Sequence, residues 1–322
     1  MKLSRYLLSR IGFGLVVLFA LSLFVFLLFY LAPGDPARAI AGDKANNELL
    51  EQVRQNLGLN RPIGEQYLSF IGNLLQGNLG FSFRNQLPVT GIILDRLPVT
   101  LSLVVGGVVL WLAIGVPIGI ASARRPGTVR DRAGQTFALL GISFPTFVLG
   151  MMSLYLLYFL PTRAGFPIFP PSGYVPLTED PLQWAWHLIL PWTTLALVTA
   201  AIYARLTRGQ MLEVLGEDYI RTARAKGLTE RRVIYKHAFR SAMPPLVTQL
   251  GNDVGFLLGG AIVIEQVYGL PGIGNLAVTS VQAQDRPTII GVVLVGGIFI
   301  VAVNLIVDLC YVLLDSRIRT AS

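Results

Sequence analysis

Six apolar runs, near 11–32, 99–123, 137–160, 188–206, 245–268 and 289–314, each extend for about 20 residues. At about 1.5 Å of helical rise per residue, each covers the roughly 30 Å hydrocarbon core of a bilayer. Inside that core a backbone amide finds no water, so each run is expected to close its hydrogen bonds internally, as a helix. A chain with 53% hydrophobic and 14% charged residues and a mean hydropathy of +0.61 lies far outside the soluble globular range. The expectation is an all-α integral membrane protein with six spans. Lys2, Arg5 and Arg10 precede the first run in the manner of a signal peptide, but the run is too long and no small-x-small site follows, so it is expected to stay as a span. Cys310, the only cysteine, leaves no disulfide or thiolate metal site within the chain.

The formal charge of +8 is distributed, not pooled. Eighteen lysines and arginines precede the first span, fill 124–136 and 205–243 and follow the last span, whereas the intervening segments hold eight. That alternation follows the positive-inside rule and predicts both termini on the cytoplasmic side, so the basic surplus orients the chain and does not signal nucleic acid. The chain then divides into a cytoplasmic amino terminus with the first span (1–32), an external helical insertion (33–98) and a core membrane domain (99–322) with a cytoplasmic loop at 207–243. Within the insertion, apolar spacing predicts helices over 46–57 and 62–76, with Asn46 and Asn60 as amino-terminal caps. The insertion is expected either as a lid packed on the membrane domain or as a contact for a delivery protein. Trp184 and Trp186 mark the outer interface.

Several residues inside the spans carry expectations of their own. Gly251, Gly255 and Gly259 recur at spacings of four, as do Gly115 and Gly119, which lets another helix backbone approach closely. Ser143-Phe144-Pro145-Thr146 combines a helix breaker with hydroxyls and predicts a kink in the third span. Asn252 and Asp253 stand away from the glycine face, where a carboxylate either lines a hydrated path or bonds a neighbouring helix.

The loop at 218–245 has helical periodicity that few membrane loops share. Tyr219, Ile220 and Ala223 are expected on one face of a short helix beginning at Asp218 and ended by Gly227. A second helix is expected to start at Thr229, with Val233, Ile234, His237, Ala238, Ser241 and Ala242 on a stripe opposite Arg232, Lys236 and Arg240. Such a hairpin suits either an anionic lipid surface or a protein partner.

Thr222-Ala223-x-x-x-Gly227 resembles the cytoplasmic "EAA" loop of bacterial ABC-importer permeases, and the whole chain resembles the first permease subunit of dipeptide and oligopeptide importers. The landmarks run in order: Pro33-Gly34-Asp35-Pro36, Leu57-Gly58-Leu59-Asn60-Arg61-Pro62 with Gln66-Tyr67, Gly80-Phe81-Ser82, Arg96-Leu97-Pro98-x-Thr100-Leu101, Ser143-Phe144-Pro145, Glu265 through Gly274, and Asp315-Ser316-Arg317-Ile318-Arg319. Arg221 stands where the general motif has glutamate, leaving Glu217 or Asp218 as the acid of that helix.

The resemblance implies a type I ABC-importer permease fold in the bacterial inner membrane. It implies four kinds of partner: a second homologous permease, two ATPase subunits or domains, an extracytoplasmic substrate-binding protein and membrane lipid. ATP and magnesium would be bound by the ATPases; this chain, with no Gly-Lys dipeptide among its four lysines, is expected to carry no cofactor, metal or catalytic residue. The expected ATPase-coupling residues are Asp218, Tyr219, Ile220, Ala223, Gly227, Val233 and Ile234, the expected path residues are Ser143, Pro145, Asn252 and Asp253, and Gly251, Gly255 and Gly259 are assigned to helix packing. The implied substrates are peptides, with nickel, glutathione or another small peptide-like solute as alternatives. A proton-coupled secondary transporter using Asp253 and Asp308 is the alternative of another class.

Overall fold

The computed structural model describes residues 3–31, 37–38, 45–170 and 172–314, so the Pro33–Pro36 and 315–319 landmarks lie outside the described residues. The chain is helical: α1 (Leu3–Leu31), α2 (Asn47–Leu57), α3 (Ile63–Leu75) and α4 (Val89–Arg124). α5 (Val129–Ser143) and α6 (Thr146–Arg163) follow as a pair bent by 96°. Then come α7 (Pro181–Leu215), α8 (Asp218–Ala225), α9, which opens at Glu230–Arg232 and continues through Phe239–Val267, α10 (Ile273–Gln282) and α11 (Arg286–Leu314). By length and apolarity, four of the described helices (α1, α4, α7 and α11) can each cross a membrane, and the number is five if the bent α5–α6 pair is a single broken span. The remaining expected span, 245–268, lies in α9, where side chains at 256 and 258–260 fall outside the described residues.

Two compact units emerge from the packing: Met1–Tyr6 with Pro98–Asn275 and Ala302–Ser322, and Leu7–Leu97 with Leu276–Val301. In the first, α4 lies directly on α7. A Cβ on Gly115 would stand 2.5 Å from the Ala200 carbonyl oxygen, and one on Gly119 would stand 2.7 Å from that of Ala204. No side chain fits such gaps, so the glycine pair sets how near the helices come. α5 meets α7 in the same way, Gly141 against Ala201 at 2.5 Å. The expected kink in the third span is a full break. Phe144 is extended (φ −106°, ψ 131°), Pro145 has no N–H to continue the ladder, and the Ser143 hydroxyl turns back to the Leu139 carbonyl at 2.7 Å.

The Glu265–Gly274 landmark folds around a carboxylate. Glu265 is fully buried and accepts from the Thr100 hydroxyl at 2.6 Å and the Asn275 N–H at 2.8 Å. Thr100 in turn accepts the Ile273 N–H at 2.8 Å. Both N–H groups belong to the first turn of α10, where free amides and the helix dipole favour negative charge. A Cβ on Gly272 would overlap the Glu265 carboxyl at 2.2 Å, so only glycine lets the turn close over it. Two landmarks separated by 165 residues are thereby joined.

In the second unit α1 packs on the first half of α11. A Cβ on Gly297 would meet Leu21 at 2.2 Å, and one on Gly14 would meet Val301 at 2.8 Å. α3 sits on α1 through Phe26, whose ring centroid is 5.2 Å from that of Tyr67 and 5.7 Å from that of Phe70, while the Tyr67 hydroxyl meets Ser22 at 3.0 Å. The insertion's second helix is therefore seated on the first span. Asn46 caps α2 as expected, accepting the Leu49 N–H at 2.9 Å. Asn60 does not cap α3; its amide reaches back to Glu51 at 2.8 Å, and Pro62 begins α3 with no side-chain cap. Asp285, 2% exposed, repeats the buried-carboxylate device at the start of α11, accepting from the Ser82 hydroxyl, the Phe83 N–H at 3.0 Å and the Thr288 hydroxyl at 2.7 Å.

Glu265→Ala leaves buried donors without an acceptor and is expected to cost about 2–4 kcal/mol, with Glu265→Gln losing less because it keeps one acceptor oxygen. Gly115→Val is expected to cost about 1–3 kcal/mol by driving α4 and α7 apart. Thermal unfolding in detergent measures both, and an unchanged midpoint for Glu265→Ala would remove the carboxylate from its structural role.

Candidate functional site

The hairpin formed by α8 and the start of α9 is an ordered element with an inside and an outside. α8 ends in two hydrogen bonds that close a left-handed cap: Gly227 N–H to the Arg224 carbonyl at 2.9 Å and Leu228 N–H to the Ala223 carbonyl at 3.4 Å. Gly227 has φ +76°, a conformation that costs an L-residue about 1–2 kcal/mol. No atom lies within 4 Å of where its Cβ would be, so backbone conformation and not space requires glycine. Across the turn, Arg224 grips Glu230 through two hydrogen bonds of 2.9 and 3.2 Å, and the guanidinium holds the Glu230 carboxyl below the ordinary carboxylate range. Thr229 occupies the capping position but makes no side-chain cap bond.

The inner face is apolar and closed. Ile220, Ala223, Val233, Ile234, Ala238 and Ala242 pack with Ile120 and Ala123 of α4 and Met211 of α7, and Leu228 covers the turn. Ile220 and Val233 have no exposure at all. The expectation that Ile220, Ala223, Val233 and Ile234 present a docking surface therefore changes: these side chains bind the hairpin to its own span ends. Nor does Tyr219 share their face. It stands about 100° around the helix from Ile220, and its ring is 45% exposed. Asp218 is outside too, within 3.3 Å of Arg221, an exposed pair that adds little stability.

A π-helical turn over Val233–Ala238 explains the second departure from the expected stripe. The extra residue in this turn rotates everything after it relative to an α-helix. Ala238 and Ala242 are consequently turned inward, His237 is half-buried and Ser241 is exposed, although α periodicity puts all four on one stripe. The outer face carries Tyr219, Tyr235, Lys226, Arg231, Arg232, Lys236 and Arg240, all exposed.

The expected path residues separate. Ser143 lines a cavity of about 540 Å³ between α5 and α7, bounded also by Gln135, Thr136, Leu139, Arg205 and Arg208. Pro145 is exposed at the break, and Asn252 is exposed on α9. Asp253 does not line that cavity. One of its oxygens accepts from Gln249 on the same helix at 2.8 Å; the other is buried with no hydrogen-bond partner among the described residues, beside the Tyr203 hydroxyl of α7. Of the packing glycines, Gly251 faces Val307 of α11, 2.9 Å from where its Cβ would be, Gly255 is half-buried, and the surroundings of Gly259 lie outside the described residues.

One pair escaped sequence reasoning. Asp131, 1% exposed, accepts both Arg208 nitrogens at 2.6 and 2.9 Å and the Gly127 N–H at 2.9 Å. The available signal was a single acid among the basic residues of 124–136. Its partner is 77 residues away, beyond any local pattern.

Comparison with known proteins agrees with this architecture. Residues 115–320 match the model of the binding-protein-dependent transport system inner membrane component, and residues 3–104 match the amino-terminal model of such membrane components. The chain is 41% identical over 316 residues to the glutathione transport system permease protein GsiC of Escherichia coli strain K12, covering 98% of this chain and 99% of the relative. It is 40% identical over 315 residues to the "Probable peptide ABC transporter permease protein y4tP" of Sinorhizobium fredii, with 98% and 99% covered. Among solved structures, an inward-facing MetNI methionine ABC transporter chain aligns with a TM-score of 0.52 at 20% identity, covering 70% of this chain and 96% of that one. At that identity the likeness speaks to fold alone. The family models and full-length relatives together place this chain in the family of binding-protein-dependent transport system inner membrane components, with a type I importer fold.

Proposed function

We propose that the chain is a permease subunit of an ATP-driven importer that carries di- and oligopeptides, glutathione among them, into the bacterial cytoplasm. The observation that carries this reading is a rigid hairpin with its apolar face fixed to the ends of α4 and α7 and a cationic, aromatic face turned outward. The peptide assignment draws on the naming of the full-length relatives as peptide and glutathione permeases. The charge bias of the loops puts the hairpin and both termini on the cytoplasmic side.

In this reading two ATPase subunits bind ATP and magnesium, a homologous permease completes the path, and an extracytoplasmic binding protein delivers substrate. Closure of the ATPases pushes on the hairpin. Asp218, Tyr219, Gly227 and Tyr235 would lie in the cleft of one ATPase, while Ile220, Ala223, Val233 and Ile234 pass the displacement to α4 and α7. Packed elements transmit such motion because close-packed side chains have discrete arrangements and little compressibility. The Arg224–Glu230 clasp keeps both halves of the hairpin moving together. At the other end of that chain of contacts, the break at Phe144-Pro145 gives the third span two segments that can reorient separately.

Gly227→Val is expected to reduce ATP-driven peptide uptake by about tenfold without loss of membrane insertion, whereas Gly227→Asn retains most of it, since asparagine tolerates positive φ. Transport in reconstituted vesicles measures this, and wild-type uptake by Gly227→Val would defeat the lever. In a background lacking Cys310, cysteines placed at Tyr219 or Tyr235 are expected to cross-link to an ATPase subunit, and one at Ile220 is not. Capture of phospholipid alone from Tyr219 and Tyr235 would overturn the docking assignment.

A further inference from the structure

The cavity between α5 and α7 carries an unbalanced charge. Of its two arginines, Arg208 is matched by Asp131 through two hydrogen bonds. Arg205 is exposed into the same space and has no carboxylate partner among the described residues. The space of about 540 Å³ falls in the range of small-molecule sites, which combine apolar walls with a few placed polar groups. Leu139 supplies the apolar wall; Gln135, Thr136 and Ser143 supply amide and hydroxyl groups. Since the Ser143 hydroxyl donates to the Leu139 carbonyl, its oxygen remains able to accept. One cation beside neutral donors and acceptors matches a short chain of amides that ends in one carboxylate.

We propose that this cavity is a substrate site on the cytoplasmic half of the permease, with Arg205 binding the terminal carboxylate of the peptide as it leaves the path. The proposal rests on the peptide-importer reading and adds to it a recognition element shared by all free peptides, whatever their side chains. A guanidinium–carboxylate pair is charge-assisted and bidentate, so it discriminates a carboxylate from a neutral amide of nearly the same shape. Ser143 places the site next to the break between α5 and α6, where movement of either segment would change its width.

A phospholipid phosphate would also satisfy Arg205, but it would leave Gln135, Thr136 and Ser143 without use, and the experiment separates the two. The full chain, purified with its partner subunits into nanodiscs of phosphatidylcholine alone, is titrated calorimetrically with dialanine and with dialanine amide. Wild-type protein is expected to bind dialanine at least about tenfold more tightly than the amide, and Arg205→Gln is expected to abolish that difference while Arg205→Lys keeps part of it. Equal affinity for the two ligands, no binding of dialanine, or an unchanged preference in Arg205→Gln overturns the site. So does loss of dialanine binding when phosphatidylglycerol is included, since the anion held would then be lipid. The comparison of two ligands on the wild-type protein stands even if a variant fails to fold. ATP-driven dialanine uptake by wild-type vesicles is measured beside it: uptake without carboxylate-dependent binding removes only this site, while binding without uptake removes the importer reading.

Discussion

Gly115 and Gly119 bring α4 against the backbone of α7 at Ala200 and Ala204, and most of the larger unit is organised around that seam. In lipid, apolar side chains gain little by leaving hydrocarbon for one another, so helices associate through close packing and polar contacts. Removing two Cβ atoms supplies the closeness. The consequences extend along both helices: Ile120 and Ala123 beyond the glycines on α4, with Met211 on α7, become the floor on which the α8–α9 hairpin rests. A wider seam would separate the two halves of that floor.

Polar contacts supply the rest. Glu265, Asp285 and Asp131 are buried acids, and each holds a chain segment in place by accepting backbone N–H groups together with a side-chain donor. All three lie at or against a helix start, Asp131 in the first turn of α5, Asp285 just before α11 and Glu265 against the first turn of α10, where the helix dipole favours an anion. A buried acid of this kind specifies geometry more than it adds stability, because its desolvation offsets much of what its bonds return. Asp131 differs in recruiting a charge of opposite sign, and by occupying Arg208 it leaves Arg205 as the cation of the adjoining cavity.

For a lever between ATPase and membrane path, the division of the hairpin into faces matters more than its length. The residues that sequence periodicity marks as most apolar hold the hairpin to the spans, and the aromatic and charged ones beside them are left exposed. Such an arrangement suits transmission: a push applied at Tyr219 or Tyr235 finds the opposite face already packed, so displacement is not absorbed by repacking.

How much of this was legible differed by element. Apolar runs announce spans because the bilayer imposes one length and one hydrogen-bonding solution on every chain that crosses it. The α3 helix, the αL cap at Gly227 and the break at Pro145 were legible because each rests on neighbours within a few residues. The π turn over Val233–Ala238 was hidden, since nothing in those six residues distinguishes it from an α-helix, and it moved His237 and Ser241 off the expected stripe. The amphipathic pattern of α8 was visible in the sequence, but which side faces outward depended on the apolar ends of α4 and α7. By itself, then, the sequence determined the class of fold, the positions of the four spans in α1, α4, α7 and α11 and the existence of a structured hairpin, since all of these follow from local chemistry repeated along the chain. Only the tertiary structure decided which face the hairpin buries, which acid meets Arg208 and which arginine of the cavity stays without a carboxylate among the described residues, because those outcomes depend on contacts between residues far apart in the chain that no local pattern encodes.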